Sequence, residues 1–167
     1  ENFFEGLKQK GIENYELALT ALRKAEMAAK GDKENIAVVR FEMGKNYAYL
    51  KQFEDAESMY NQVLESMGER LDVLEALYDV YYQQQNYNAA IPLVEKLTKY
   101  DTDYKEDLAN LYHLTGQFDK ALEILDELDE DWGESVLRNA LRRQIYKVTG
   151  NTEGAITNLE DKIDKNP

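Results

Sequence analysis

The sequence predicts an all-α chain built from stacked helix–turn–helix repeats. Two series of residues mark the repeat, namely Tyr47, Tyr81, Tyr112 and Tyr146, and Ala56, Ala90, Ala121 and Ala155. Both series advance by 34, 31 and 34 residues, and a fixed period of this size is typical of a repeat array. The 167 residues include only two prolines, which also favours helices. Each short helix pair should bury its apolar face on its neighbours, because it cannot do so alone.

The first repeat, residues 1–36, is degenerate. Its apolar residues at helical spacing predict two helices, one with Phe3, Phe4 and Leu7 and the other with Tyr15, Ala18, Leu22 and Ala25. We expect Gly11 to end the first of them. The whole array would then contain about ten helices.

Four clearer repeats follow, at 37–70, 71–104, 102–135 and 136–167, which overlap where the step shortens to 31 residues. In each repeat an apolar stripe leads through a turn to a second stripe that begins near the alanine of the series. A larger side chain than alanine there should push the two helices apart, at a cost of about 1–3 kcal/mol. Pro92 is expected in the first turn of its helix, where its missing N–H costs little. The last stripe is formed by Ala155, Ile156, Leu159 and Ile163.

The pattern resembles the tetratricopeptide repeat (TPR) over essentially the whole chain. The second repeat carries the family's usual residue types at Met43-Gly44, Tyr47, Phe53, Ala56 and Tyr60. The last repeat is similar at Tyr146, Gly150, Ala155, Leu159 and Asn166-Pro167. Departures include Arg40 in place of Trp, Tyr78 and Arg143 in place of Gly or Ala, and Thr152 in place of the turn aromatic. The sequence also resembles TPR proteins of Bacteroidetes bacteria.

This resemblance implies a right-handed α-α superhelix, or solenoid, whose concave groove binds a peptide or a partner domain. The groove would be lined by the first helix of each repeat. The candidate groove residues are Phe41, Lys45, Tyr49, Glu75, Asp79, Tyr82, Glu106, Asn110, His113, Gln144 and Lys147. Their spacing places them off the buried stripe of each helix. The alternative is a solvated face that binds nothing.

The groove residues predict a partner with basic character. One TPR subclass clamps a terminal carboxylate with Lys, Asn and Arg, but here those places hold Phe41, Lys45, Ala76, Asp103 and Asp107. An anion clamp is therefore not expected. Glu75, Asp79 and Glu106 in the middle of the groove should prefer lysine or arginine on the partner.

Composition excludes several classes of function. The net charge is −13, and residues 102–135 alone carry 2 basic and 11 acidic residues. Such a balance disfavours nucleic acid and anionic membranes as partners. The chain has no cysteine, which removes disulfides, thiolate zinc sites and cysteine nucleophiles. No apolar run is long enough to insert into a membrane.

The sequence predicts no catalytic, cofactor or metal site, and hence no enzyme. His113 is the only histidine, and no nucleophile accompanies it. Asp103, Glu106 and Asp107, and the acidic run 126–131, could hold Ca²⁺, but neither matches a calcium loop and a solvated acidic edge is the simpler interpretation. Trp132, predicted in a loop, either recognises a partner or packs over helix ends.

Three functions remain, and a catalytic or enzyme-accessory role centred on His113 is the one that these residues favour least. The first is a scaffold that binds a peptide or protein in its groove. The second is a structural segment of a longer array, which could self-associate through its end helices. Because the chain begins at Glu1 rather than methionine, we expect it to be a piece of a longer protein, without a targeting segment of its own. Either a periplasmic, exported location or a cytoplasmic one fits.

Overall fold

The computed structural model describes residues 2–165, with the side chains of 8–151, 153, 156–161, 163 and 164. These residues form nine helices in two compact units. The N-terminal unit, 1–86, contains α1 (Asn2–Ala28), α2 (Lys33–Tyr49), α3 (Phe53–Met67) and α4 (Leu71–Gln83). The C-terminal unit, 87–167, contains α5 (Tyr87–Leu97), α6 (Tyr104–Leu114), α7 (Phe118–Trp132), α8 (Val136–Thr149) and α9 (Thr152–Lys165).

Helix α1 is continuous through Gly11, so the predicted break at this glycine is wrong. One glycine inside a helix costs only about 1 kcal/mol relative to alanine, and the leucine, lysine and glutamate residues around it favour helix. The array therefore has nine helices in its described part rather than about ten. The predicted stripe residues Phe3, Phe4 and Leu7 have side chains outside the described set.

The remaining helices begin and end near the predicted turns. Asp32 caps α2, because its carboxylate accepts a hydrogen bond from the backbone N–H of Asn35 at 3.1 Å. Two turn residues lie in the left-handed region, Lys51 with φ 57° and Gln85 with φ 56°. Pro92 is the sixth residue of α5 rather than a residue of its first turn. The helix begins at Tyr87, so Pro92 lies beyond its first turn and removes one interior hydrogen bond.

The alanine series packs as predicted where its side chains are described. Ala56, Ala90 and Ala121 are completely buried. Ala155 lies outside the described side chains. Tyr47 and Tyr112 are also buried, while Tyr81 and Tyr146 are half-buried. The two series therefore mark interior positions of the helix pairs.

The described residues of the apolar stripe of α9 are exposed rather than buried. Ile156, Leu159 and Ile163 are exposed by 51%, 53% and 69%. Among the described elements of the C-terminal unit, α9 packs mainly on α8, which covers only part of its surface. A stripe at helical spacing predicts a buried face, but it does not say which element covers that face.

Three tyrosines of the series join successive helices through their hydroxyl groups. Tyr47 accepts a hydrogen bond from Arg23 on α1 at 3.0 Å. Tyr81 donates to Glu57 on α3, and Tyr112 donates to Glu95 on α5, both at 2.7 Å. The bonds of Tyr81 and Tyr112 connect the first helix of a repeat to the second helix of the repeat before it, and that of Tyr47 connects α2 to α1. Burial, and then the bond to the carboxylate, raise the pKa of Tyr81 and that of Tyr112 to about 12.

These pKa shifts predict a loss of stability at alkaline pH. Below pH 10, the usual pKa of tyrosine, both states keep the two protons and the stabilisation is fully present. Between pH 10 and about 12 the unfolded chain releases them first, so the free energy of unfolding should fall as pH rises. Urea midpoints measured across this window should decline less steeply for the Tyr81→Phe/Tyr112→Phe variant. An unchanged slope in that variant would contradict the assignment.

Candidate partner-binding site

A pocket of about 370 Å³ opens between α2 and α4 in the N-terminal unit. Its lining residues are Lys45, Ala48, Tyr49, Lys51, Tyr60, Ala76, Asp79 and Gln83. Small alanines on both helices leave the space, and the buried Tyr60 of α3 forms part of its wall. Three predicted groove residues, Lys45, Tyr49 and Asp79, meet here. The pocket therefore lies on the predicted face of the first helices.

Tyr49 is the most exposed aromatic residue of this pocket, at 67%. Its ring stacks on the ring of Tyr15 from α1, with centroids 4.8 Å apart and planes at 12°. Stacking of this kind stabilises a fixed ring orientation. The degenerate first repeat thus holds an exposed aromatic ring in place at the pocket.

The charges around the pocket differ in how they are paired. The ammonium of Lys45 lies 2.5 Å from the carboxylate of Glu42 and 5.0 Å from the ring centroid of Phe41. Asp79 accepts a hydrogen bond from Gln83 through Oδ2 at 2.7 Å. Burial raises the pKa of Tyr60 above its usual value, and the negative charges of Asp79 and Glu42 raise it further.

The other predicted groove residues of this unit lie around the pocket rather than in its lining. Phe41 is half-buried, with its ring centroid 5.7 Å from that of Tyr60. Glu75 is exposed on α4. Tyr82 is 39% exposed and makes an edge-to-face contact with Tyr78 at 6.0 Å.

The predicted groove residues of the C-terminal unit differ in their surroundings. Glu106 lines a smaller pocket of about 150 Å³ with Leu125, Leu137, Arg138 and Leu141. Asn110 and His113 are half-buried, and Gln144 and Lys147 are exposed. The Nδ1 atom of His113 is buried without a hydrogen-bond partner among the described residues, and its ring lies 5.8 Å from that of Phe118.

Two buried arginines in α8 were not predicted from the sequence. Arg138 is 8% exposed and Arg142 is 2% exposed. Both bind Asp129 of α7, Arg138 through Nε at 2.7 Å and Arg142 through Nη1 at 2.5 Å. The predicted groove residue Glu106 accepts from Arg138 at 2.8 Å, and Asp126 accepts from Arg142 at 2.8 Å. Burial lowers the pKa of Arg138, but the hydrogen bonds and charges of Asp129 and Glu106 outweigh it and raise that pKa.

The repeat period contains the signal that would have revealed these arginines. Equivalent residues of the two units lie 65 positions apart, as Tyr47 and Tyr112 do. Arg138 and Arg142 are therefore equivalent to Val73 and Leu77, which are buried at 0% and 2% exposure. A charged residue at a position that is apolar and buried in the equivalent repeat indicates a buried ion pair.

The acidic run of α7 is only partly the solvated edge that the sequence suggested. Asp129 is held by the two arginines, whereas Asp126 has a mostly exposed side chain. Trp132 is the last residue of α7 rather than a loop residue, and it is half-exposed. Among the described residues, no group of three or more His, Cys, Asp or Glu side chains is placed to hold a metal ion. None of the helices in the described part combines the length and apolar composition needed to cross a bilayer.

Several solved structures have this fold over almost the full length of the chain. MamA from AMB-1 superposes with a TM-score of 0.67 at 18% identity, covering 100% of this chain and 95% of that one. MamA from MSR-1 gives 0.65 at 19% identity, covering 95% and 94%. MamA from Desulfovibrio magneticus RS-1 gives 0.64 at 17% identity, covering 98% and 93%. No family model and no curated protein matches the chain.

These likenesses concern the fold. The chain has the all-α, TPR-like fold of the MamA structures, which confirms the predicted fold class. The resemblance to Bacteroidetes proteins stays a prediction. So does the assignment of the eleven groove residues to partner binding.

Proposed function

We propose that the chain is a non-enzymatic scaffold that binds a peptide or a segment of another protein in the pocket between α2 and α4. Tyr49 carries this proposal, because the residue is 67% exposed and yet its ring is held by stacking on Tyr15. An exposed aromatic residue with a fixed orientation is a common anchor at protein interfaces, since little conformational entropy is lost on binding. The TPR-like fold agrees with a role in protein interaction.

The same pocket supports a partner with basic character. Asp79 and Glu42 both act on the hydroxyl of Tyr60, and Lys45 is already paired with Glu42. Asp79 is therefore the carboxylate of the lining that a partner's lysine or arginine would approach. Complementary charge of this kind favours the correct partner and raises the association rate.

Selection from a library of random peptides displayed on phage would test the proposal, with the whole chain immobilised. Peptides recovered on the chain should be enriched in lysine or arginine. Their affinity should fall roughly tenfold or more for Asp79→Lys, because the change replaces attraction by repulsion. Isothermal titration calorimetry with the synthetic peptides would measure the loss.

Glu65→Lys is the matched control. Glu65 is exposed on α3 outside the pocket lining, and its substitution changes the net charge by the same amount. Its affinity for the peptides should stay close to that of the parent chain. Equal losses in both variants would show a non-specific charge effect and contradict a pocket between α2 and α4.

The exposed stripe of α9 favours a second candidate function, a structural segment that associates with other copies or with further repeats. Ile156, Leu159 and Ile163 would be covered in such an assembly. If that function holds instead, light scattering should show a mass that rises with concentration and is insensitive to Asp79→Lys. No peptide should then be recovered on the chain.

A further inference from the structure

We propose that the pocket between α2 and α4 is an arginine subsite, in which a partner's guanidinium stacks on Tyr49 and pairs with Asp79. This inference rests on the proposed function and names the residue type that the pocket selects. It also assigns a role to Tyr15, which holds the ring of Tyr49 from α1 without lining the pocket.

The ring of Tyr49 has one face covered and the other available. Tyr15 stacks on it nearly in parallel, at 12° and 4.8 Å, yet Tyr49 remains 67% exposed. The exposure therefore comes from the opposite face and from the ring edges. A flat cation can lie on that face, where the ring's negative quadrupole attracts it.

Asp79 supplies the carboxylate of the subsite. Gln83 donates only to Oδ2, so among the described residues Oδ1 is left for an incoming donor. Glu42 adds negative charge near Tyr60. The carboxylate of Glu42 also pairs with the ammonium of Lys45 at 2.5 Å. Lys51 also lines the pocket, and it borders a second surface pocket with Glu54 and Asp55.

The shape of the pocket favours arginine over lysine. Ala48 and Ala76 leave room for an aliphatic stem, and the rings of Tyr49 and Tyr60 line the same pocket. A planar guanidinium can stack on a ring and donate to a carboxylate in its own plane at the same time. An ammonium is a compact point charge that cannot satisfy both geometries as well.

Titration of the ¹⁵N-labelled whole chain with L-argininamide and L-lysinamide would test the subsite directly. Argininamide should shift the backbone amide signals around Tyr49 and Asp79. Its dissociation constant should be roughly fivefold lower than that of lysinamide. Tyr49→Ala and Asp79→Asn should each weaken argininamide binding several-fold, while the exposed control Glu65→Gln should not. Equal binding of the two amides, or shifts confined to the acidic α7, would overturn the proposal.

Variants of Tyr15 test whether this residue acts by holding the ring of Tyr49 in place. Tyr15→Ala should weaken argininamide binding because Tyr49 loses its support, and Tyr15→Phe should restore it because the stack is kept. The result is independent of the phage selection. Peptides that need Asp79 but tolerate arginine-to-lysine exchange would refute the arginine subsite and leave the proposed function standing. If argininamide bound but no peptide were recovered, the proposed peptide-binding function would be refuted and the arginine subsite would stand.

Discussion

Replacing Asp129 with alanine should lower the free energy of unfolding of the C-terminal unit by about 3–5 kcal/mol. Asp129 bonds to both Arg138 and Arg142, which are almost completely buried. Its removal leaves two guanidinium groups with one acidic partner each, Glu106 and Asp126. A buried charge without its partner is among the most destabilising changes that a single substitution can make.

A urea titration followed by fluorescence would measure this loss. Trp132 is the only tryptophan and ends α7 beside Gly133, whose carbonyl oxygen accepts a hydrogen bond from Arg138. Its emission therefore reports on this cluster. A change below about 1 kcal/mol would mean that water replaces the carboxylate easily, and would contradict the buried network.

The equivalent residues of the N-terminal unit suggest a variant that replaces the whole ion-pair network by apolar side chains. Asp129, Arg138 and Arg142 are equivalent to Leu64, Val73 and Leu77. The triple variant Asp129→Leu/Arg138→Val/Arg142→Leu should be as stable as the parent chain or up to about 1–4 kcal/mol more stable, because apolar packing avoids the desolvation of three charges. A large loss in this variant would show that the ion pairs contribute net stability.

Gly44→Ala should lower the free energy of unfolding of the N-terminal unit by about 1–3 kcal/mol. A Cβ atom added at Gly44 would lie 2.4 Å from Cε1 and 2.7 Å from Cδ1 of Tyr60. The ring cannot move aside easily, because Tyr60 is 1% exposed. The clash outweighs the gain of about 1 kcal/mol that alanine brings to a helix interior.

Gly11→Ala is the control for Gly44→Ala. Gly11 also lies inside a helix, but a Cβ atom there would meet no atom within 4 Å among the described residues. The substitution should therefore raise the free energy of unfolding by about 0.4–1 kcal/mol. Circular dichroism during urea unfolding would measure both variants. If both substitutions changed the free energy of unfolding in the same direction, the close approach of α2 and α3 would be refuted.

A double variant tests the cause of the clash. The residues equivalent to Gly44 and Tyr60 in the C-terminal unit are Ala109 and Leu125. Gly44→Ala/Tyr60→Leu copies that pair, so it should be less destabilised than the sum of its two single variants. Strict additivity would mean that the alanine and the ring do not collide.

The sequence pattern predicted the helices well because the repeat constrains them many times over. Tyr47, Ala56 and most of their described counterparts are buried, while Tyr81 and Tyr146 are half-buried. Burial of an apolar stripe in a terminal helix could not be predicted, as Leu159 shows, because it depends on which element packs against it. The break expected at Gly11 failed because neighbouring residues with high helix propensity outweigh one glycine.

The candidate site was predicted in part. Lys45, Tyr49 and Asp79 meet at one pocket, as helical spacing on two adjacent first helices implies. Tyr15 was assigned only to a buried stripe, because a contact between α1 and the end of α2 depends on tertiary packing. Glu106 was treated as a free groove carboxylate, but its partner Arg138 stands 32 residues away in the sequence, at a position that is apolar in the sister repeat.

The buried arginines also fix the order in which repeats can follow one another. The fifth repeat buries Arg138 and Arg142, so the repeat before it must supply acids, as the fourth does with Asp126 and Asp129. The equivalent places hold Asn61 and Leu64 in the second repeat. Recombination that joined the fifth repeat directly to the second would bury two arginines without a carboxylate. Although the helices look interchangeable, this array cannot be shuffled freely.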